Sequence, residues 1–145
     1  MIDWNEEQQM ARDAIRKFID AEVVPNIEAL EHEGMPPYDI IRKMYQTFGV
    51  DEIARARFEK AIEKDELIEA GEEPAEESGT PGDDLGMDTI LSMELCRHSA
   101  GIVTAMGVTQ LAAGAIMSQG NVEQKKHWGL ELLTGEKVGS WAITE

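Results

Sequence analysis

Three histidines each follow a glutamate by four residues: Glu28–His32, Glu94–His98 and Glu123–His127. That spacing stacks the two side chains on one helix face, so each pair reads as a surface pair. A carboxylate-bridged metal pair in a helical bundle needs matched Glu-x-x-His motifs instead. The sequence has none, so no metal ligand is assigned. Cys96 is the single cysteine; an intrachain disulfide is excluded, and nothing in the pattern places a base beside it to make a thiolate nucleophile. No glycine-rich stretch runs into Lys-Ser or Lys-Thr, which excludes a P-loop. The remaining pattern is at the C-terminus, where Val138, Ser140, Ala142 and Thr144 alternate with Gly139, Trp141 and Ile143. Alternation of this kind predicts a β-strand. A lone strand leaves its backbone donors and acceptors unmatched, so the expectation is a truncated chain that stops inside a sheet.

The elements that carry these residues read as helices. Asn5 and Gln8 fit a capping box, with Glu6 and Glu7 at the positive end of the helix they open. Met10, Ala14 and Phe18 then recur at i+4, flanked by Ala11, Ile15 and Ile19. Pro25 ends or kinks this helix. A weaker helical stretch follows to Glu33, with Gly34 as a stop. Pro36-Pro37 opens a helix with Ile41, Met44, Tyr45 and Phe48 on one face, closed by Gly49. Residues 50–69 are helix-prone, with Ile53, Ala54, Phe58, Ala61, Ile62 and Ile68 roughly in step. Met87, Ile90, Leu91 and Leu95 mark another helix. Ile102 to Ser118 is apolar nearly all round and rich in glycine and alanine, which predicts a buried helix. Asn121 with Gln124 caps the next.

Composition narrows the function classes. The chain has 145 residues, 29 acids and 13 bases, for a net charge of −16. Nucleic acid and anionic membrane surfaces call for Lys and Arg, so neither is an expected partner. Between Glu63 and Asp84 stand ten acids and one base, so much of the acidity is local, and Gly71–Leu85 reads as a mobile acidic loop. The N-terminus, MIDWNEEQQMARD, has neither the basic nor the apolar region of a secretory leader, and Ser99–Val122 is too polar for a convincing membrane helix. Cytoplasmic placement is the expectation.

Three segments resemble the acyl-CoA dehydrogenase family. Ser92-Met-Glu-Leu-Cys-Arg97 is similar to its "EEL(A/C)R" helix, and Gly120-Asn-Val-Glu-Gln-Lys-Lys126 to its "G-(T/N/S)-x-E-Q-K" helix opening. Gly135-Glu-Lys-Val-Gly-Ser-Trp-Ala-Ile-Thr-Glu145 is similar to "G-E-x-x-(G/A)-x-(W/F/Y)-(A/C)-(L/I/V)-T-E". The helix start at Asn5–Gln8 and the helix Tyr38–Gly49 also fit, so the resemblance covers about two thirds of the chain in order. Val50–Leu85 departs from it: the segment is longer and more charged than in the family, and it lacks the "P-E-(E/K)-Y-G-G" loop.

The resemblance implies an all-α fold, an up-down helical bundle over residues 1–134, with residues 135–145 as the first strand of a truncated middle β-domain. It implies FAD as cofactor and α,β-dehydrogenation of an acyl-CoA thioester to a trans-2-enoyl-CoA. A carboxylate base in a C-terminal domain takes the α-proton, so no catalytic residue is assigned in this chain. Electron-transfer flavoprotein is the implied electron acceptor, and a homo-oligomer (a tetramer) or a split-subunit partner the implied assembly. Trp141, Ile143 and Thr144 resemble the strand along the flavin ring. There a backbone N–H and the Thr144 hydroxyl would stabilise charge developing near N1 and O2, while Trp141 and Ile143 exclude water. Met93, Cys96 and Ala100 fall in the region similar to the helices flanking the acyl chain, and are small or pliable enough to line an apolar slot; ordinary helix packing accounts for the same residues. The alternative from a different class is a non-catalytic acidic helical bundle that meets partner proteins through its surface.

Overall fold

A computed structural model describes residues 3–73 and 85–142. Every regular element among them is helical: α1 (Glu6–Phe18), α2 (Ile27–His32), α3 (Tyr38–Thr47), α4 (Val50–Glu69), α5 (Leu85–Cys96), α6 (Ala100–Gln119), α7 (Val122–Gln124) and α8 (Leu130–Leu133), with π-helical turns at Ile19–Val23 and Lys125–Gly129 and a 3₁₀ turn at Val24–Asn26. The chain divides into two compact units. The first comprises Met1–Ile40 and Asp83–Ala105, the second Ile41–Gly82 and Met106–Glu145.

In the first unit, α1 opens on the expected capping box. The Asn5 carboxamide oxygen accepts from the Gln8 N–H at 2.8 Å, and the Gln8 side chain accepts from the Asn5 N–H at 3.2 Å. The buried stripe of α1 is Ile15 and Phe18, continued by Ile19 and Val23. Met10 is 75 % exposed and Ala14 is exposed as well, a correction to the expected Met10–Ala14–Phe18 stripe. Two i, i+4 series overlap in this helix, and periodicity alone does not say which edge faces inward. Pro25 has no N–H to offer the Ala21 carbonyl. The α-ladder accordingly loosens into the π turn, where Val24 N–H donates to the Ile19 carbonyl, and tightens through the 3₁₀ turn into α2. Helix α1 packs on α5, whose inner face is Ile90, Glu94 and Leu95; Ile102, from the first turn of α6, is buried too.

In the second unit, α4 packs on the α7–α8 segment. The approach is close because Gly129 has no side chain: a Cβ there would stand 2.7 Å from Met117 Sδ and 3.0 Å from the Phe58 ring. Lys125 pairs with Asp65 at 2.6 Å and Lys126 with Glu66, which fixes the register of α4 against this segment. The cap at Asn121 is as expected, with reciprocal bonds to Gln124 of 2.9 and 3.0 Å. Asn121→Ala is expected to cost about 1 kcal/mol, measured by chemical denaturation; an unchanged midpoint would remove the cap from the account.

Two expectations fail here. Residues 138–142 form no strand, because a strand exists only through a partner's hydrogen bonds, and no second strand occurs among the described residues. Helix α6 is not a buried helix either. Among the described residues it alone is long and apolar enough by length and composition to cross a membrane, yet 17 % of that apolar stretch is buried and Leu111 is 54 % exposed. An all-round apolar composition says that something covers a helix, and does not say that the covering atoms belong to the same chain. Of the acidic-loop assignment, Gly71–Leu85, residues 74–84 lie outside the described residues, and Leu85 opens α5 instead of closing a loop.

Candidate functional site

Burial of Ile90, Glu94 and Leu95 fixes the rotation of α5. At 100° per residue, Met93 and Cys96 must then point the other way. Met93 is 44 % exposed, Cys96 is exposed, and so is Ala100 at the start of α6. Two of the three pocket candidates therefore share the outward face of one helix, and the third follows it by one turn. None of them packs into the core.

What holds that rotation is an ion pair between a buried carboxylate and a half-exposed guanidinium. The Arg16 guanidinium donates from Nε and Nη2 to the two carboxylate oxygens of Glu94, both at 2.9 Å, and Arg97 approaches one of them at 3.6 Å. Glu94 is 5 % exposed. The hydrogen bonds from Arg16 hold its carboxyl below the ordinary value; burial opposes them, and the charges of Arg16, Arg97 and Arg12 add to the lowering. The same bonds raise the Arg16 guanidinium. This corrects the sequence reading of Glu94 as the surface partner of His98. The signal was present, since Glu94 falls four residues after Ile90 on the apolar face, but the i+4 histidine masked it.

The C-terminal candidates belong to the second unit, and of the three only Trp141 lies within the described residues; Ile143 and Thr144 lie outside them. Its approach is tethered at each step. Gly135, at φ 74°, turns the chain out of α8. Arg42 Nε donates to the Gly135 carbonyl at 2.9 Å and Nη2 to the Glu136 carbonyl at 3.4 Å. Arg55 pairs with the Glu136 carboxylate, Lys137 N–H donates to the Glu131 carbonyl at 2.9 Å, and its ammonium pairs with the Glu131 carboxylate at 2.6 Å. Gly139 then lies against α6, where a Cβ would come within 2.7 Å of the Ala112 methyl. Tyr45, buried under Gly135, accepts from Gln110 Nε2 at 3.4 Å; burial pushes its phenol up, offset in part by that bond. None of the tethers from Arg42 and Arg55 was legible in the sequence, because they join positions some 80 to 94 residues apart.

At the end of this tethered segment Trp141 keeps 43 % of its surface open and Val138 the same. An exposed indole can stack on a flat aromatic ring, so Trp141 does not conflict with a flavin at this position. No group of three or more His, Cys, Asp or Glu side chains that could hold a metal occurs among the described residues.

Comparison with known proteins gives the family. A 143-residue stretch, 97 % of this chain, is 28 % identical to an acyl-CoA dehydrogenase of Bacillus subtilis, covering 32 % of that protein. The mitochondrial short-chain specific acyl-CoA dehydrogenase of Mus musculus is 28 % identical over 99 % of the chain and 30 % of its own length. The short-chain specific enzyme of Clostridium acetobutylicum is 29 % identical over 96 % and 32 %. The chain thus spans about a third of the length of the curated relatives it matches. No solved structure matches. The acyl-CoA dehydrogenase N-terminal domain matches over residues 5–54 and 50–136, and with those two stretches covering most of its length, this helical chain belongs to that family.

Proposed function

We propose that the chain supplies the N-terminal part of the acyl and flavin site of an FAD-dependent enzyme that oxidises an acyl-CoA thioester to its trans-2-enoyl-CoA. The observation that carries this reading is the outward face of α5. Met93 is an apolar, pliable side chain left 44 % open by a helix whose opposite face is locked by Leu95 and the Arg16–Glu94 pair. An uncovered apolar surface on a rigid element suits a ligand's alkyl chain.

FAD, when bound, would supply the acceptor for the hydride leaving the β-carbon. The residues of this chain have other tasks. Met93, Cys96 and Ala100 flank the acyl chain, Trp141 covers the cofactor and excludes water, and Ile143 and Thr144 are assigned to the same flavin-binding set. Glu94 is unsuited to be the base. It is charged, paired with Arg16 and held below the ordinary carboxylate value, whereas abstraction of an α-proton wants a carboxylate raised toward neutrality. No catalytic base is assigned in this chain; the proposal places it in the family's C-terminal domain. An acyl-CoA substrate, electron-transfer flavoprotein, a homo-oligomer or split-subunit partner, and cytoplasmic placement belong to the same proposal.

The test is to purify the complete polypeptide that the gene encodes. It is expected to be yellow, or to become so with FAD, and to bleach without oxygen when butyryl-CoA is added, releasing the 2-enoyl thioester. Protein that stays colourless with excess FAD would overturn the reading in favour of an acidic helical interaction module.

A further inference from the structure

The chain leaves α8 through a turn that satisfies the last helical carbonyls from within. Thr134 N–H donates to the Leu130 carbonyl at 2.9 Å, Gly135 N–H to Leu132 at 3.3 Å and Lys137 N–H to Glu131 at 2.9 Å. The carbonyls of Gly135 and Glu136 are instead taken by Arg42, which reaches across from α3. Its Nε–H donates to the first at 2.9 Å and its Nη2–H to the second at 3.4 Å. Nε and Nη2 share one edge of a planar guanidinium, so the two donors form a single rigid fork. Each carbonyl belongs to a planar peptide unit. A fork that grips two successive units fixes their relative orientation, which is the backbone conformation of Glu136 between them.

Arg55 adds a looser hold on the same residue. It pairs with the Glu136 carboxylate through side chains that are 45 % and 51 % exposed, and a pair so open to water constrains the backbone less than the fork does. Among the described residues, 138–142 make no hydrogen bond. The course of the chain toward Trp141 is therefore set by hydrogen bonds at 135–137. We propose that Arg42 is a positioning residue for the flavin side of this chain: its fork on the Gly135 and Glu136 carbonyls directs the segment that carries Trp141. The proposal rests on the reading of Trp141 as flavin-facing, and its test separates the two.

The experiment uses the complete gene-encoded protein with fluorotryptophan incorporated, the Trp141 resonance being assigned as the one lost in Trp141→Phe. Arg42→Met keeps an unbranched stem and removes both donors. It is expected to shift the Trp141 resonance while the Trp4 and Trp128 resonances stay in place. FAD retention on gel filtration is expected to weaken about tenfold, the low end for hydrogen bonds from a charged group. Arg55→Gln, which leaves the fork intact, is expected to move Trp141 less. An unmoved Trp141 resonance in Arg42→Met overturns the proposal, and so does an equal shift in Arg55→Gln. A shifted resonance beside undiminished FAD retention overturns the flavin reading of Trp141 and the positioning role with it. Should Arg42→Met fail to fold, Arg42→Lys keeps the cation and gives up the planar fork; a shifted Trp141 there supports the proposal and an unmoved one overturns it. If the parent protein holds no FAD at all, the flavin reading falls, and the resonance still decides whether Arg42 directs the segment.

Discussion

Replacing Leu95 by alanine is expected to destabilise the chain by about 3 kcal/mol, whereas replacing Met93, two residues away on the same helix, should cost less than about 0.5 kcal/mol. Leu95 is 1 % exposed, so its truncation removes transfer energy and leaves a cavity that α1 and α5 can only partly close. Met93 faces outward and leaves nothing behind. For a chain of this size the Leu95 variant should melt about 8 °C lower, followed by far-ultraviolet circular dichroism with urea midpoints as a check. Comparable losses from both substitutions would mean that α5 does not present Met93 to a ligand, and the acyl-slot proposal would go with it. Under the functional reading the two variants also differ in kind: Met93→Ala should alter preference among acyl chain lengths without altering the melt.

The second large effect concerns Glu94. Its folded carboxyl titrates below the ordinary carboxylate value because Arg16 donates two hydrogen bonds to it. The unfolded chain therefore binds its proton at higher pH than the folded one. The contribution is fully present above the unfolded value of about 4.3, and it is lost as pH falls through the folded value. Glu94→Gln should cost about 2 kcal/mol at pH 7, within the range for a hydrogen bond to a charged group. The upper end is not expected, since the Arg16 side chain is 40 % exposed and water can rehydrate it. In the acid range the variant and the parent should converge. Parallel stability curves from pH 7 down to pH 3 would show that the pair contributes nothing through ionisation.

Local signals carried most of the helices. Asn5 with Gln8 and Asn121 with Gln124 each specify a cap by side-chain chemistry three residues apart, and Gly34 and Gly49 stop helices in the left-handed conformation. What failed to show was whatever depends on partners distant in sequence. Glu94 carries no mark of Arg16, 78 residues away. The outward turn of Met10 and the exposure of α6 depend on what is absent from their surroundings, which periodicity cannot register. The alternation at Val138–Ala142 is a pattern of side chains, and the hydrogen bonds that make a strand have to come from elsewhere. Of the candidate residues, the outward face of α5 follows from the apolar face opposite it, while the path of the chain to Trp141 rests on Arg42 and Arg55, which no motif announces.

Each of the two units is assembled from stretches that are not consecutive in the chain. A nascent polypeptide leaving the ribosome therefore cannot finish the first unit when residue 40 appears. Helix α1 has to wait, with Ile15, Phe18, Ile19 and Val23 uncovered, until α5 has been synthesised. Closing so long an interval costs chain entropy before any contact rewards it, which exposes this N-terminal helix to chaperones and proteases during synthesis. Cutting the gene anywhere between residues 41 and 82 would leave α1 without its packing partner.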